Sequence, residues 1–274
     1  MSGFLDDMAR SSAARVLDAR QRESFVDLEV RARQTAPAPR LRLSTGGFDV
    51  IAELKLRSPA AGQLGDRGHD WLARIVAYAQ GGAAAVSVLT EPSRFDGSLE
   101  HLRRAAVVLA PWGVPAMRKD FVVDPYQVLE ARAAGAGGIL LILRMLTRAR
   151  ITELLDAAAE HDLFVLLEAF DEADLAAAGE LLAARPPSGA ILVGINSRDL
   201  QTLKVVQQRF AELAPLLPAQ WAGVAESGVA TPEDARAMHA LGYRLALIGT
   251  ALMGSDAPAE LLAAILNAAR TLQV

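Results

Sequence analysis

The sequence predicts an α/β fold: a single (β/α)8 TIM barrel over residues 1–274, with an N-terminal helical extension and lead-in loop at residues 1–48. Eight short apolar runs follow one another along the chain, and each precedes a longer segment with a helical pattern. The repeat is about 25–30 residues, the spacing of strand and helix units in such a barrel. No linker rich in glycine or serine divides the chain, so one domain is expected.

The eight apolar runs are the predicted barrel strands. Most are apolar at nearly every position, which is typical of parallel strands covered on both faces. The predicted strands are Asp49–Leu54, Ala84–Leu89, Pro115–Arg118, Gly138–Leu143, Phe164–Leu167, Ile191–Ile195, Ala222–Ala225 and Leu245–Ile248. A doubly wound open sheet is the alternative, but it usually has fewer strands and often a glycine-rich first turn. The turn at residues 55–59 has no G-x-G-x-x-G pattern, which favours the barrel.

Segments rich in Ala, Leu, Glu and Arg lie between the strands and predict helices. They include Trp71–Gln80, Leu99–Leu109, Pro125–Ala134, Arg148–Glu160 and Pro232–Leu241. Asp124, Thr147 and Thr231 each precede one of them and are typical N-cap residues, and two of the three are followed by proline. Phe4–Gln34 is predicted as additional N-terminal helix, followed by a loop at residues 35–40.

Composition excludes several classes of protein. The net charge is −4 and the pI is about 5.6, which argues against a nucleic-acid partner, because binding phosphates requires a basic surface. The absence of cysteine excludes disulfides, thiolate metal sites and a cysteine nucleophile. The four histidines show no i, i+4 pair, so no metal site is predicted.

The same sequence predicts a cytoplasmic protein with no membrane partner. No stretch of about 18 uncharged apolar residues occurs, which is the minimum for a membrane-spanning helix. The first seven residues carry acids where a secretory signal would carry bases. The oligomeric state stays open between a monomer and a weak homodimer.

Polar residues occur where several predicted strands end. Glu53 and Lys55 share one face of the first strand, and Lys119, Glu168 and Asn196 follow three others. Each could simply mark where a strand meets water. Their recurrence favours a functional cluster instead, because the loops at the carboxyl ends of barrel strands converge and charges are rarely buried unpaired. Such a cluster can supply lysine as a general acid and glutamate as a general base.

Two glycine-containing turns predict a phosphate site. Ser227-Gly228 follows the seventh strand and Gly249-Thr250 follows the eighth. The loops after these two strands are the usual phosphate site of the barrel, where backbone N–H groups face the anion. The alternative is that both are ordinary turn glycines.

Several sequence blocks resemble the indole-3-glycerol phosphate synthase family. They are Ile51–Lys55 with Ser58-Pro59, Ser87–Glu91 with Phe95, Arg118–Phe121 with Asp124–Tyr126, Gly194–Leu200, and Ala225–Gly228 followed by Thr231–Asp234. The resemblance extends in order over roughly residues 49–255, and each block lies where the barrel interpretation needs it.

The resemblance implies a cofactor-free carboxy-lyase of tryptophan biosynthesis that acts on a small phosphorylated substrate. That substrate would be 1-(2-carboxyphenylamino)-1-deoxyribulose 5-phosphate. Its ring carbon attacks the ribulose carbonyl, CO2 leaves, and dehydration gives indole-3-glycerol phosphate.

The resemblance also implies roles for individual residues. Lys119 would be the general acid and Glu168 the base of the dehydration, while Glu53 would orient the lysines. Lys55 would meet the substrate's carboxylate or phosphate, and Asn196 would hold a substrate hydroxyl or carboxylate. Ser58, Ser227, Gly228, Gly249 and Thr250 would bind the phosphate, and Phe95, Met117, Phe121 and Leu200 would line an aryl slot.

Two alternatives stay open at this point. A non-catalytic paralogue could keep the barrel and the phosphate site as an interaction or regulatory module. An isomerase of a related sugar phosphate could keep the same phosphate turns on the same fold.

Overall fold

The structure, a computed structural model, describes residues 3–45, 47–58, 62–63, 70–186, 190–199, 202 and 204–271. Within these residues, eight parallel strands close into a barrel, which confirms the predicted TIM barrel. Each strand pairs with the next in the chain, and the eighth pairs with the first through Asp49 to Ala52. The strands are β1 (Asp49–Leu54), β2 (Ala85–Leu89), β3 (Ala116–Lys119), β4 (Gly138–Ile142), β5 (Phe164–Ala169), β6 (Ile191–Asn196), β7 (Ala222–Glu226) and β8 (Leu245–Ile248).

Helices surround the barrel and precede its first strand. The helices are α1 (Phe4–Arg22), α2 (Phe25–Gln34), α3 (Trp71–Gln80), α4 (Pro92–Phe95), α5 (Leu99–Leu109), α6 (Pro125–Ala133), α7 (Arg148–Glu160), α8 (Glu172–Ala183), α9 (Gln208–Leu213), α10 (Pro232–Ala240), α11 (Thr250–Gly254) and α12 (Pro258–Arg270). The predicted N-caps are confirmed: Asp124, Thr147 and Thr231 each accept a hydrogen bond from a backbone N–H of the first turn. No helix among the described residues has the length and apolar character needed to cross a membrane.

The N-terminal segment differs from its prediction as one helical stretch. It forms two helices, α1 and α2, which meet at Glu23 and Ser24. The Ser24 hydroxyl accepts a hydrogen bond from the Asp27 N–H and so starts the second helix. Serine competes with the helix for backbone hydrogen bonds, which is why the chain breaks at this point.

Three strands are longer than the apolar pattern predicted and β3 is shifted by one residue, so that each of these four strands includes the polar residue at its end. β3 includes Lys119, β5 includes Glu168, β6 includes Asn196 and β7 includes Glu226. The backbones of these residues remain in the parallel ladder, as in the pairing of Asn196 with Glu226. A polar side chain at a strand end does not disturb the ladder when it can be accommodated inside the barrel, and these side chains all lie there or at its mouth.

Two of the three apolar clusters among the described residues form the layers of the barrel, and the third joins α1 and α2 to α6. The larger core lies between the outer strand faces and the helices. The smaller one fills the barrel interior with alternate strand residues, including Ile51, Met117, Leu140, Leu166 and Leu192. The polar strand-end residues continue the same inward-facing sets, one step closer to the carboxyl ends. The apolar interior therefore closes the bottom of the polar layer to water.

A buried polar network attaches α1 to the end of β3. Asp120 accepts hydrogen bonds from Arg15 of α1 at 2.7 Å, from Arg118 at 3.0 Å and from the Thr90 hydroxyl at 2.7 Å. The Ser12 hydroxyl, also on α1, donates to the Phe121 carbonyl. Burial opposes ionisation of Asp120, but the two guanidinium groups outweigh it and hold the pKa of this carboxyl well below its usual range.

Asp120→Ala should strongly destabilise the protein. Arg118 is almost completely buried, and removing Asp120 leaves it with one of its two carboxylate partners, Glu130. Breaking one partner of a buried ion pair costs about 3–5 kcal/mol, so the free energy of unfolding in urea at neutral pH should fall by about that amount. Glu180→Ala, which removes the exposed pair with Arg148, is the matched control and should change it by less than about 1 kcal/mol. Equal effects of the two substitutions would contradict this account of Asp120.

Candidate active site

A cavity of about 470 Å³ opens at the carboxyl ends of the barrel strands. Such an opening is where the fold brings its loops together and where ligands bind. Its polar floor consists of strand-end side chains from β1, β3, β5, β6 and β7: Glu53, Lys119, Glu168, Asn196 and Glu226, with Lys55 just beyond β1.

Glu53 binds two lysines at this floor. Its carboxylate oxygens lie 3.2 Å from the Lys55 ammonium and 3.3 Å from the Lys119 ammonium. The chain contains only three lysines, and two of them meet here. Burial alone would raise the pKa of Glu53, but Lys119 and Lys55 together outweigh it and lower that pKa below its ordinary value. Glu53 is therefore ionised at neutral pH despite being buried.

Lys119 is held in its charged form. Burial would lower the pKa of its ammonium group, but the negative charges of Glu53 and Glu168 more than compensate and raise that pKa above the ordinary value for lysine. Its side chain is 20% exposed and faces the cavity. A charged donor is thus available to a bound ligand at neutral pH.

Glu168 and Asn196 form a second buried pair across β5 and β6. The Asn196 amide donates to the Glu168 carboxylate at 2.9 Å, and its own oxygen accepts from the Arg198 backbone N–H at 2.9 Å. The second contact fixes which way the amide faces. Burial raises the pKa of Glu168 above its ordinary value, although Lys119 and the Asn196 hydrogen bond oppose the shift. A carboxyl with a raised pKa is suited to accept a proton near neutral pH.

Two tight turns form one side of the cavity. Ser227 and Gly228 both have a positive φ, +65° and +88°, so their backbone is in the left-handed region. A side chain on Gly228 would approach within 2.8 Å of Val205, which explains the glycine. A side chain on Gly249 would come within 2.7 Å of the Glu53 carboxylate, so this glycine makes room for the polar floor. The Thr250 hydroxyl lies 3.5 Å from the Lys55 ammonium.

The opposite side of the cavity is apolar. Phe121 contacts Phe4 edge-on, with ring centroids 5.9 Å apart, and Phe95 at 6.3 Å. Phe170, Leu140, Ile142 and Leu247 are further apolar residues that line the cavity. The cavity therefore combines a polar floor, a turn-lined side and an aromatic wall.

Comparisons with known proteins agree on one family. The family model described as indole-3-glycerol phosphate synthase matches residues 5–265. A protein of that name from Bordetella pertussis is 39% identical over 264 residues, covering 94% of this chain and 97% of its own. One from Nocardioides sp. is 41% identical over 258 residues, covering 93% and 94%. The chain belongs to the indole-3-glycerol phosphate synthase family. Members of this family are carboxy-lyases of tryptophan biosynthesis that act on a phosphorylated small molecule.

Solved structures show the fold alone. 3-Hexulose-6-phosphate synthase from Salmonella typhimurium superposes with a TM-score of 0.63 at 13% identity, covering 81% of this chain and 98% of its own. Phosphoribosylanthranilate isomerase from Thermotoga maritima gives 0.54 at 12% identity, covering 81% and 98%. At such identity the likeness supports the barrel and says nothing about chemistry.

The structure brings together most residues to which the family resemblance assigned roles. Eleven of them line the cavity: Glu53, Lys55, Phe95, Lys119, Phe121, Glu168, Asn196, Ser227, Gly228, Gly249 and Thr250. Met117 is placed differently: it lies one layer below Lys119 in the barrel interior, because two residues along a strand is one step deeper on the same face. Leu200 and the side chain of Ser58 lie outside the described residues.

The sequence analysis missed several residues that line this site, and three of them are Glu226, Phe4 and Phe170. Glu226 lies in the block Ala225–Gly228 that carries the family resemblance, but the sequence analysis gave it no role. Phe4 lies in the N-terminal helix, far from the barrel motifs in sequence, and only tertiary packing brings it to Phe121. Phe170 directly follows the end of β5 and lines the cavity. The signal for Phe170 was available, since the residues after Glu168 enter the loop above that strand.

Among the described residues, no group of three or more His, Cys, Asp or Glu side chains is arranged to hold a metal ion.

Glu53→Gln should lower the pKa of Lys119. The substitution keeps the side-chain shape but removes the negative charge that most favours the ammonium form. Competitive amine labelling across a pH series, read by mass spectrometry, should show Lys119 becoming reactive at lower pH than in the unsubstituted protein. The exposed Lys204 is an internal control whose reactivity should not shift. An unchanged titration of Lys119 would mean that Glu53 does not govern its charge.

Proposed function

We propose that this chain catalyses the indole-3-glycerol phosphate synthase reaction. In that reaction the ring carbon bearing the carboxylate of 1-(2-carboxyphenylamino)-1-deoxyribulose 5-phosphate attacks the ketone carbon. The carboxylate leaves as CO2, and loss of water gives indole-3-glycerol phosphate. The observation that carries the proposal is the buried cluster in which Glu53 binds both Lys55 and Lys119. Membership of the family supports the same activity.

The cavity offers a surface for each part of this substrate. The aromatic wall of Phe4, Phe95 and Phe121 accommodates the aryl ring. Met117 supports that wall from below, and Leu200 is a further proposed member of it. The phosphate binds the two turns on the other side, with the proposed contacts Ser58, Ser227, Gly228, Gly249 and Thr250. The substrate is thereby stretched across the polar floor, with its ketone above the lysines.

Lys119 acts as the general acid. Its ammonium group donates a proton to the ketone oxygen while the new carbon–carbon bond forms, which prevents charge from building up on that oxygen. Glu53 holds the ammonium group in place at 3.3 Å. Lys55 binds the substrate carboxylate or phosphate and is a second candidate acid for the departing hydroxyl.

Glu168 acts as the base of the dehydration. Because its pKa is raised, its carboxylate is a stronger base than an ordinary glutamate and can remove a proton from the carbon next to nitrogen. Asn196 orients this carboxylate and is positioned to hold a substrate hydroxyl or carboxylate.

The alternative of a non-catalytic binding module is less well supported. A module that only binds phosphate gains nothing from two half-buried lysines paired with a buried carboxylate, since removing charges from water costs free energy that their pairing does not always repay. A reduced substrate analogue, in which an alcohol replaces the ketone, separates the two functions. Tight binding of the analogue together with absence of turnover of the true substrate would favour the module.

Three further properties belong to the same proposal. The chain folds as one domain, because α1 is attached to the barrel through the buried Asp120 network. It works in the cytoplasm, as a monomer or a weak homodimer. It needs no nucleic acid, membrane or cofactor, because the proposed chemistry uses only side chains of the cavity.

Purified protein should convert the proposed substrate into a product with indole fluorescence, without added metal or nucleotide. Lys119→Ala should lower kcat by a factor of about 10²–10⁴, the usual contribution of a general acid. Lys204→Ala removes the one lysine outside the cavity and should leave kcat unchanged. If Lys119→Ala retains full turnover, the role of Lys119 is wrong; if the unsubstituted protein forms no indole product, the proposed activity is wrong.

The rate should depend on pH through Glu168. A base works in its ionised form, and the pKa of Glu168 is raised in the folded protein. The rate should therefore be low at acid pH and rise with pH. The midpoint of the rise should lie above the ordinary pKa of glutamate, which is about 4.3. Glu168→Gln should be nearly inactive at every pH. A rate that is flat through this range would argue against Glu168 as the base.

A further inference from the structure

Glu226, at the end of β7, is a buried carboxyl group at the cavity floor to which the scheme above gives no role. It is 1% exposed and lines the cavity. Neither of its side-chain oxygens has a hydrogen-bond partner within the described residues. Gly194 on β6 makes the space for it, because a side chain there would come within 2.0 Å of a Glu226 oxygen. The barrel thus makes room for a carboxyl group but provides no hydrogen-bond donor to its oxygens within the described residues.

The surroundings of Glu226 favour its neutral form. β6 and β8, the strands paired with β7, place Asn196 and Leu247 beside it, and neither titrates. The charged groups that act on it are Glu168 on β5, Lys119 on β3 and Glu53 on β1. Burial, and then the like charge of Glu168, raise the pKa of Glu226 well above its ordinary value, and Lys119 only partly opposes them.

Geometry decides which of the two neighbouring carboxyl groups carries the proton. Glu168 accepts a hydrogen bond from the Asn196 amide, which stabilises its ionised form. Glu226 accepts none, so ionisation costs it more. In the resting site Glu168 is therefore the available base, while Glu226 is a carboxylic acid.

The proposed reaction needs such an acid, because it consumes one proton in each turnover. The ketone oxygen gains a proton when the carbon–carbon bond forms, and the departing hydroxyl gains another when the carbon–oxygen bond breaks. Glu168 takes back one proton from the CH2 carbon as the ring double bond forms. The carbon–carboxylate bond breaks with its electron pair returned to the ring, and CO2 leaves without a proton. Two protons given and one removed leave a deficit of one.

We infer that Glu226 is a proton reservoir for the synthase reaction, a neutral carboxylic acid that restores the proton given up by Lys119. The inference rests on the proposed function. Glu226 and Lys119 are not hydrogen-bonded to each other in the resting site, so the proton passes between them through one intervening water. When Lys119 has donated to the ketone oxygen, its neutral amine gains the proton that Glu226 gives up, which yields an ammonium group and a carboxylate. The recharged Lys119 can then donate to the departing hydroxyl. The proton that Glu168 took from the CH2 carbon then passes to the neutral Lys119. Solvent returns one proton to Glu226 when the product leaves and the cavity opens to water, which restores the resting site.

Infrared spectroscopy tests the protonation state without any turnover. At neutral pH the unsubstituted protein should show the carbonyl stretch of a protonated carboxylic acid, and the band should disappear as the pH is raised. Glu226→Gln should lose this band. The matched control Glu260→Gln, the same substitution at an exposed carboxylate of α12, should keep it. A band that is absent from the unsubstituted protein, or that persists in Glu226→Gln, would overturn the inference.

Kinetics test the role of that proton. Glu226→Gln keeps the shape and neutral charge but has no acidic proton, so kcat should fall about tenfold or more while KM changes little. Gly194→Ala, whose new methyl group displaces the carboxyl group from the neighbouring strand β6, should also lower kcat but keep the infrared band. Glu260→Gln should leave kcat unchanged. An unchanged kcat in Glu226→Gln would remove Glu226 from the proton path.

The two measurements separate this inference from the proposed function. If the unsubstituted protein forms no indole product, the proposed function fails, whatever the infrared band shows. If the protein is active but lacks the band, or is equally active as Glu226→Gln, the function stands and the reservoir is wrong.

Discussion

The attraction between the Glu53 carboxylate and two ammonium groups organises the functional end of this barrel. Lys55 comes from the chain just after β1, whereas Lys119 comes from β3 and must reach across β2. Ser87, the small residue of β2 beside Glu53, leaves room for that reach. Two positive charges this close would repel one another without the carboxylate between them. The barrel fixes the distance between β1 and β3, and so the distance between Glu53 and Lys119. That distance in turn keeps Lys119 in its charged form.

The layers above and below give this interaction its strength. The apolar interior around Met117 and Leu166 excludes water from beneath the polar floor. The aromatic wall around Phe121 limits the access of water from one side of the cavity. Electrostatic attraction is stronger in such surroundings than in water. The N-terminal helices belong to this arrangement, because α1 contributes Phe4 to the wall and Arg15 to the network next to Lys119. The extension is thus part of the cavity as well as part of the scaffold.

Much of this architecture could be predicted from sequence, for identifiable reasons. Near-continuous apolar runs and N-cap residues such as Thr231 depend on local interactions, so the strands and several helix starts follow from them. The convergence of Glu53, Lys119, Glu168 and Asn196 follows as well, because parallel strands in a barrel all end at one rim. Strand ends were harder, since a polar residue was taken as the limit of a strand although its backbone still pairs.

What sequence did not reveal depends on tertiary contacts. Phe4 reaches the cavity only because α1 packs against the end of β3, and no local pattern specifies that packing. Met117 and Lys119 share a strand face, but depth within the barrel decides that only Lys119 meets the cavity. The importance of Glu226 rests on missing hydrogen-bond partners, which is a property of its surroundings and not of its residue type.

The most direct test of the central claim is a crystal structure with the reduced substrate analogue. The account predicts the analogue's alcohol oxygen at hydrogen-bond distance from the Lys119 ammonium, about 2.7–3.2 Å, with Glu53 still bridging both lysines. Its aryl ring should lie against Phe121 and its phosphate at the turns of Gly228 and Gly249. An analogue bound with that oxygen away from Lys119, or with the two lysines separated from Glu53, would contradict the account.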